Sequence, residues 1–367
     1  MKAMILAAGK GTRVRPLTNE LPKPMLPIIN KPVIEFLLEL LKKHHVEEVM
    51  INLSHLGWKI QDYVKDGYKY GLRVGYSFEG YYEGEILRTI PLGSAGGIKN
   101  IQKKWGFFDD TFIVLCGDAI IDLDISKALN FHNNHDALAT IITKDVSGEK
   151  VSNYGIVVTD KNGKVISFQE KPSIEEAKST LANTGIYIFE PGIINYIPDK
   201  GFYDIGSQLF PKLVETGERV FATTMDFNWH DIGRRGDYLR ILSSALKGEI
   251  KNFNLWGKND QPGIFKGAGA VISEKAVLKP PVYVGPSSII GNDAYIEGPV
   301  AIGTGCEISP KCTLKNAFIM DYTKVSTHSE IHDLLLTPDY YINADGDSGK
   351  INESTLLKKI ISDSRKP

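Results

Sequence analysis

Four cations crowd a glycine-containing loop near the start of the chain. The residues run Met4-Ile-Leu-Ala-Ala-Gly9-Lys-Gly11-Thr-Arg13-Val-Arg15-Pro-Leu-Thr18, and Leu21-Pro-Lys23-Pro24 follow shortly after. Glycine lets backbone N–H groups approach an anion without interference from a Cβ, and Lys10, Arg13, Arg15 and Lys23 answer its charge. That combination suits the grip of a polyphosphate. The loop departs from both common nucleotide loops. A Walker loop needs Gly-x4-Gly-Lys-Ser/Thr, whereas Lys10 is followed by Gly11. The dinucleotide fingerprint needs a third glycine where Val14 stands.

Carboxylates form the second set. A strand reading over Thr111 to Cys116 ends in Gly117-Asp118, with Asp122 and Asp124 beyond. A carboxylate just after a buried strand suits a Mg²⁺ ligand where the metal bridges phosphates, and a turn aspartate bonding its own backbone fits equally well. Trp229-His-Asp231-Ile-Gly233 offers another isolated carboxylate, with a helix N-cap ahead of Asp237 to Leu246 as the structural alternative. Taken singly, Glu170-Lys171 is an exposed charge pair, and Leu92-Gly-Ser94-Ala-Gly96-Gly97 is a helix start.

These groups need a scaffold. From Pro32 to Lys43, Val33, Phe36, Leu37, Leu40 and Leu41 share one helical face, and Pro32 suits the first turn. Strands are expected at Ala3 to Leu6, Glu47 to Leu53, Arg73 to Phe78, Thr111 to Cys116 and Leu138 to Thr143. Others are expected at Gly155 to Thr159, Gly185 to Phe189 and Arg219 to Thr223. Strands alternating with helical patterns predict an α/β, doubly wound, mainly parallel sheet. Ligands bind such sheets outside the carboxyl ends of the strands, where the first loop lies.

From about residue 266 the pattern changes. Val284, Ile290, Ile296, Ile302, Ile308 and Leu314 fall six apart, Ile319, Val325 and Ile331 continue in a second phase, and Val271 and Val277 lead in. Small residues follow four positions later at Ser288, Ala294, Val300, Cys306 and Cys312, and glycine follows directly at Gly285, Gly291 and Gly303. A six-residue repeat marks a β-helix of about four triangular coils. Cys306 and Cys312 then read as small core fillers. Gly248 to Lys266 reads as a linker, and Thr337 to Pro367 as a tail with a short helix from Glu353 to Ile361.

At 367 residues the chain is expected to form two domains. Its 42% hydrophobic and 24% charged residues are ordinary for a globular protein. A net charge of −1 gives nucleic-acid binding no electrostatic support. No apolar run approaches membrane-spanning length, and Met1-Lys2 leads straight into a strand, so no membrane partner and a cytoplasmic location are expected. The three cysteines have neither metal spacing nor a disulfide framework.

In order and spacing, the motifs resemble the sugar-1-phosphate nucleotidylyltransferases (NDP-sugar pyrophosphorylases). The carriers are Gly9-x-Gly11-Thr-Arg13 followed by Pro22-Lys23-Pro24, with Leu92 to Gly97, Gly117-Asp118, Glu170-Lys171-Pro172, Asn183-Thr-Gly185 and Asp231-Ile-Gly233. The resemblance implies a Rossmann-like nucleotidyltransferase sheet followed by a left-handed parallel β-helix. It implies a catalytic domain over 1–247, a linker over 248–265, a β-helix over 266–336 and a tail over 337–367. Nucleotide-binding residues would be Leu6, Ala7, Ala8, Gly9, Gly11, Thr12, Arg13, Gly93, Ser94, Ala95 and Gly117. Sugar-phosphate-binding residues would be Tyr154, Gly155, Glu170, Lys171, Asn183 and Thr184. Arg13, Lys23, Asp118, Lys171 and Asp231 would be catalytic, with Asp118 and Asp231 holding Mg²⁺.

The implied reaction is in-line: a sugar-1-phosphate oxygen attacks the α-phosphorus of a nucleoside triphosphate, and pyrophosphate leaves. Two polyanions must meet, so charge neutralisation is the task. The nucleophile is already ionised near pH 7, which leaves the eight histidines without a required role. Gly80 to Ile90 reads as an insertion between Glu79 and Pro91-Leu92. With Asn52-Leu-Ser-His55 and Leu115 to Asp122, it resembles the cyanobacterial-type UDP-glucose pyrophosphorylases. UTP and glucose-1-phosphate are therefore expected, with GTP and mannose-1-phosphate as the alternative and a homo-oligomer joined through the β-helix. Two rivals belong to other classes. One is a hexapeptide acyltransferase using His328 or His332. The other is an inactive sugar-nucleotide sensor, from which a lost loop cation or metal aspartate would be expected.

Overall fold

The computed structural model describes residues 1–251, 253–255 and 257–366. Residues 252 and 256 of the expected linker and residue 367 of the tail lie outside the described residues. Two units emerge: Met1–Gly11, Glu20–Met25 and Val33–Trp229 form the first, and Thr12–Asn19, Leu26–Pro32 and His230–Pro367 the second.

In chain order the first unit begins β1 (Lys2–Leu6), α1 (Val33–Lys43), β2 (Glu48–Leu53), α2 (Gly57–Val64) and β3 (Arg73–Phe78). A hairpin of β4 (Gly80–Glu83) and β5 (Ile86–Thr89) precedes α3 (Ser94–Trp105), β6 (Phe112–Cys116) and α4 (Ile125–Asn134). Then come β7 (Ala139–Asp145), β8 (Gly155–Thr159), β9 (Val165–Glu170), β10 (Leu181–Phe189), α5 (Phe210–Glu215) and β11 (Val220–Thr224).

The nine-stranded sheet has the order β9-β8-β10-β6-β1-β2-β3, with β7 pairing β10 and β11 off that path. From β3 to β6 every ladder is parallel, as the alternation of strands and helices predicts. At β10 the direction reverses, because β10 runs antiparallel to β6, β7 and β8. The sheet is therefore mixed. Short returns such as the β8–β9 turn suffice for antiparallel neighbours, whereas parallel ones require crossover helices.

Alternation along the strands feeds two cores. Ala3 and Ile5 of β1 pack with α1, α2 and α4, while Met4 packs on the opposite face with α3 and α5. Helices on both faces of one sheet are the doubly wound arrangement.

The second unit carries a parallel β-helix whose strands stack in register from Ile264 to Val282 to Val300. Val284, Ile290, Ile296, Ile302, Ile308 and Leu314 are buried in its core, and so are the small residues Ser288, Ala294, Val300, Cys306 and Cys312. The phase change is a one-residue shortening: Ala301 pairs with Phe318 and Ile302 with Ile319. The lead-in differs from the sequence reading. Val271 and Val277 are 58% and 50% exposed, and their neighbours Ile272 and Leu278 pack on the core instead. A slip of one residue along a strand moves every side chain to the other face.

In the tail the helix is confined to Leu357–Ile360. Ile361–Asp363 instead forms a strand antiparallel to Thr323–Val325, which covers a sheet edge. Helix α6 (Arg235–Leu246) belongs to the same unit and holds its early segments. Arg235 Nη1 donates to Arg15 O at 2.7 Å, and Tyr238 Oη to Pro27 O at 2.6 Å. Among the described residues, no helix is long and apolar enough to cross a membrane.

Candidate active site

Strand β1 ends at Leu6, and the Ala8–Lys10 stretch beyond it rises toward solvent. Gly117 N donates to Leu6 O at 2.9 Å, and a Cβ on Gly117 would lie 2.7 Å from that oxygen. Only glycine allows this approach, and it delivers the next residue to the loop. Asp118 Oδ2 stands 2.5 Å from Lys23 Nζ, and the lysine side chain is only 11% exposed. A lysine this covered needs a partner, and the carboxylate provides it.

The three acidic residues after β6 now separate. Asp122 accepts from Asn228 N at 2.6 Å and from Asn228 Nδ2 at 2.7 Å, and Asp124 caps α4 through Lys127 N at 3.1 Å. Both are structural. Asp118 pairs with a cation from another segment rather than with its own turn.

The segment opening α3 is held from two sides. Tyr203 N donates to Leu92 O at 2.8 Å, and Gly96 N donates to Tyr203 O at 2.9 Å. Gly93 has φ 78°, and any Cβ there would collide with Tyr203 O. Ser94 Oγ donates to Asp204 Oδ2 at 2.8 Å and accepts from Ile205 N at 2.8 Å. Ala95 is fully buried, backbone included. The twelve-residue helix has no side-chain cap at Gly93, and the positive end of its dipole favours anions and polar edges.

Strands β8, β9 and β10 carry the third group of expected residues. Gly155 pairs with Glu170, and a Cβ on Gly155 would lie 3.1 Å from Glu170 Oε2 and 3.8 Å from Asn183 Cβ. Asn183 Nδ2 donates to Tyr187 Oη at 3.0 Å. The ladder with β7 slips between Ile142 and Thr143, a bulge of the kind that re-aims side chains. It turns Thr184 inward, where the hydroxyl donates to Ile142 O at 2.6 Å. The Thr184 hydroxyl is thus engaged with the bulge. Lys171 has φ 48°, its N–H donates to Tyr154 O at 3.1 Å, and its ammonium pairs with Glu170 Oε1 at 3.0 Å. Tyr154 Oη donates to Glu149 Oε2 at 2.6 Å.

Arg13, Thr12 and Asp231 belong to the second unit. Arg13 is exposed on the single turn Thr12–Val14. Asp231 ends the strand Trp229–Asp231, and a Cβ on Gly233 would sit 2.9 Å from Asp231 Oδ2. The N-cap of α6 is Arg234, whose backbone N–H donates to Asp237 Oδ2 at 2.7 Å in a capping box. The helix-cap alternative for Asp231 is therefore filled by a different residue.

Sequence reasoning passed over Asn52, Glu79 and Asp204. Asn52 is a polar residue within the apolar run from Val49 to Leu53, a signal that was available; the partners of Glu79 and Asp204 lie too far along the chain to be read from spacing. Among the described residues, no group of three or more His, Cys, Asp or Glu could hold a metal by itself. Mg²⁺ takes one or two protein carboxylates and completes its shell with phosphates and water, and the Asp118 carboxylate, 28% exposed, is open enough to be one of them.

Residues 2–248 match the family described as Nucleotidyl transferase, and residues 267–359 match the GMPPB C-terminal domain. The chain is 47% identical to a UTP–glucose-1-phosphate uridylyltransferase from Synechocystis sp., over all of this chain and 94% of that one. It is 30% identical to a mannose-1-phosphate guanylyltransferase from Mycobacterium tuberculosis, over 72% of this chain and 70% of that one. A Bacillus anthracis crystal structure described as a glucose-1-phosphate thymidylyltransferase superposes with a TM-score of 0.57 at 24% identity. It covers 70% of this chain and 98% of that one, which is a likeness of fold.

Proposed function

The chain belongs to the nucleotidyl transferase family, and from that premise we propose that it joins UTP to glucose-1-phosphate, giving UDP-glucose and pyrophosphate. The full-length identity to the Synechocystis uridylyltransferase, spanning both units, carries the reading. GTP with mannose-1-phosphate is the competing pair, favoured by the match of residues 267–359 to the GMPPB C-terminal domain.

In this mechanism an ionised oxygen of the sugar phosphate displaces pyrophosphate from the α-phosphorus, and no general base is required. The glycine loop cradles the phosphates. Arg13 meets the β- and γ-phosphates, and Lys23 turns from Asp118 toward the α-phosphate. Lys171 exchanges Glu170 for the incoming sugar phosphate, leaving Glu170 to accept sugar hydroxyls beside Asn183. Leu92 to Gly97 read the base edge. Asp118 and Asp231 are assigned to Mg²⁺, which when bound supplies the neutralising charge between the two polyanions.

We further assign self-association to the β-helix. Val271 stacks on Ile289, each at least half exposed, and together with Val277 they leave an apolar strip on its early coils. The double variant Val271→Glu/Ile289→Glu should lower the mass in light scattering, and an unchanged mass would refute the role. A cytoplasmic location fits a chain whose three cysteines form no disulfide among the described residues.

The deciding experiment follows pyrophosphate with five nucleoside triphosphates against glucose-, mannose- and galactose-1-phosphate, with magnesium. UTP with glucose-1-phosphate should lead the panel. Preference for GTP with mannose-1-phosphate would replace the substrate assignment, and no turnover with any pair would remove the enzyme reading.

A further inference from the structure

We infer that Asn52 and Glu79 are positioning residues that couple the glycine loop to the base-reading loop through the interior of the first unit. The inference rests on the nucleotidylyl-transfer reading above.

Three hydrogen bonds form the link. Ala7 N, opening the glycine loop, donates to Asn52 Oδ1 at 2.7 Å. Asn52 Nδ2 donates to Glu79 Oε1 at 2.7 Å. Leu92 N, opening the base loop, donates to Glu79 Oε2 at 3.2 Å. Asn52 and Glu79 are each 3% exposed. Neither reaches solvent, so neither is placed to touch a phosphate or a base.

The sheet dictates where the pair sits. Asn52 is beside Leu6 in the β1–β2 register and beside Ser77 in the β2–β3 register. Its neighbours Ile51 and Leu53 face the α1 and α2 core, so Asn52 faces the α3 side. There the helix backbone presses on the pair, and a Cβ on Gly97 would lie 2.9 Å from Glu79 Oε1 and 3.1 Å from Asn52 Nδ2. Gly97 is thus required by the pair as much as by the base.

A buried carboxylate and amide are costly unless every polar atom is answered. Apolar residues of similar size would fill this space without that cost, so stability alone does not explain the pair. What the polar groups add is direction. Ala7 N–H fixes which way the Asn52 amide faces, that orientation presents Nδ2 to Glu79, and the second carboxylate oxygen then receives Leu92 N–H.

The same residue closes the insertion. Glu79 N donates to Leu53 O at 2.8 Å, and Ile90 N donates to Glu79 O at 3.0 Å. The β4–β5 hairpin therefore leaves and returns at Glu79, and the base loop keeps its anchor despite eleven inserted residues, Gly80 to Ile90.

Glu79→Gln separates this role from packing. Asn52 Nδ2 claims the Gln oxygen, which leaves the Gln NH₂ opposed to Leu92 N–H. The apolar double variant Asn52→Leu/Glu79→Leu removes the link without stranding a charge. Both are assayed in the full chain by pyrophosphate release with Mg²⁺, the triphosphate and the sugar phosphate preferred by the wild type, alongside thermal unfolding. Glu79→Gln should raise the KM for the triphosphate about tenfold, the usual effect of one unpaired buried N–H, with kcat and the sugar-phosphate KM within about twofold. The double variant should show at least the same rise. A triphosphate KM near the wild-type value in either variant would overturn the inference. So would equal losses in all three constants that track a lowered melting point. A wild type inactive with every pair fails the functional reading itself and takes the inference with it.

Discussion

The sheet unit and the β-helix treat their polar and small residues in opposite ways. In the β-helix one contact recurs from coil to coil: Ile264, Val282 and Val300 stack, and Ser288, Cys306 and their counterparts fill equivalent corners. Cys306 donates to Met320 O at 3.1 Å, and burial pushes its thiol pKa up to about 12. It is a filler, not a reagent. In the sheet unit nothing repeats, and Lys23 meets Asp118 across 95 residues of chain. Repetition distributes stability over interchangeable positions, whereas a convergent site concentrates its effect in single atoms. A substitution in the first region should therefore be read by melting, and one in the second by turnover.

Metal removal gives the sharpest contrast. Chelation should abolish pyrophosphate release and magnesium should restore it, while the thermal midpoint stays put because no cage of protein ligands is vacated. A midpoint that falls with chelation would point to a structural metal instead.

Asp118→Asn comes next. Turnover should drop roughly 1,000-fold, corresponding to several kcal/mol of transition-state stabilisation, with the circular dichroism spectrum preserved. Substantial residual activity would remove Asp118 from the metal site.

In the β-helix, Ile302→Ala should cost about 2–5 kcal/mol in denaturant unfolding, since Ile302 is fully buried, and leave kcat per folded molecule unchanged. A kcat that fell with it would tie the two regions together and break the contrast.

Lys171→Ala should raise the KM for the sugar phosphate roughly tenfold with little effect on the triphosphate KM. Its partner ion pair is half exposed, so stability should barely change.

The smallest effect is a slope. His132 is buried against Thr140 Oγ1 at 2.7 Å and Glu190 Oε1 at 3.1 Å. Burial holds its pKa below the ordinary value, although Glu190 pulls the other way. The folded protein thus keeps the ring neutral where the unfolded chain takes a proton. Its contribution to stability is full above the unfolded histidine range and is lost as pH falls through the folded pKa. Replacement by Gln should flatten the melting-point profile on the acid side of pH 6.5; an unaltered profile would assign that slope elsewhere.

The glycine and cation motifs, the strand–helix alternation and the six-residue repeat were all legible in the chain. Each is encoded within a few residues, by backbone freedom, side-chain period or charge density. The phase of the coils could be read from Val284 onward, but the lead-in at Val271 and Val277 was off by one. At the first coil an outward valine and an inward isoleucine or leucine are adjacent, and hydrophobicity alone cannot choose between them.

Tertiary structure decided the rest. Only the fold could separate Asp118 from Asp122 and Asp124, turn the Thr184 hydroxyl into the interior, or seat Asn52 and Glu79 between two loops. Each outcome depends on a partner dozens of residues away, brought close by strand register and by glycines that leave room for crossing backbone. Local pattern can state what a residue is able to do, and only the company it keeps in space fixes which of those things it does.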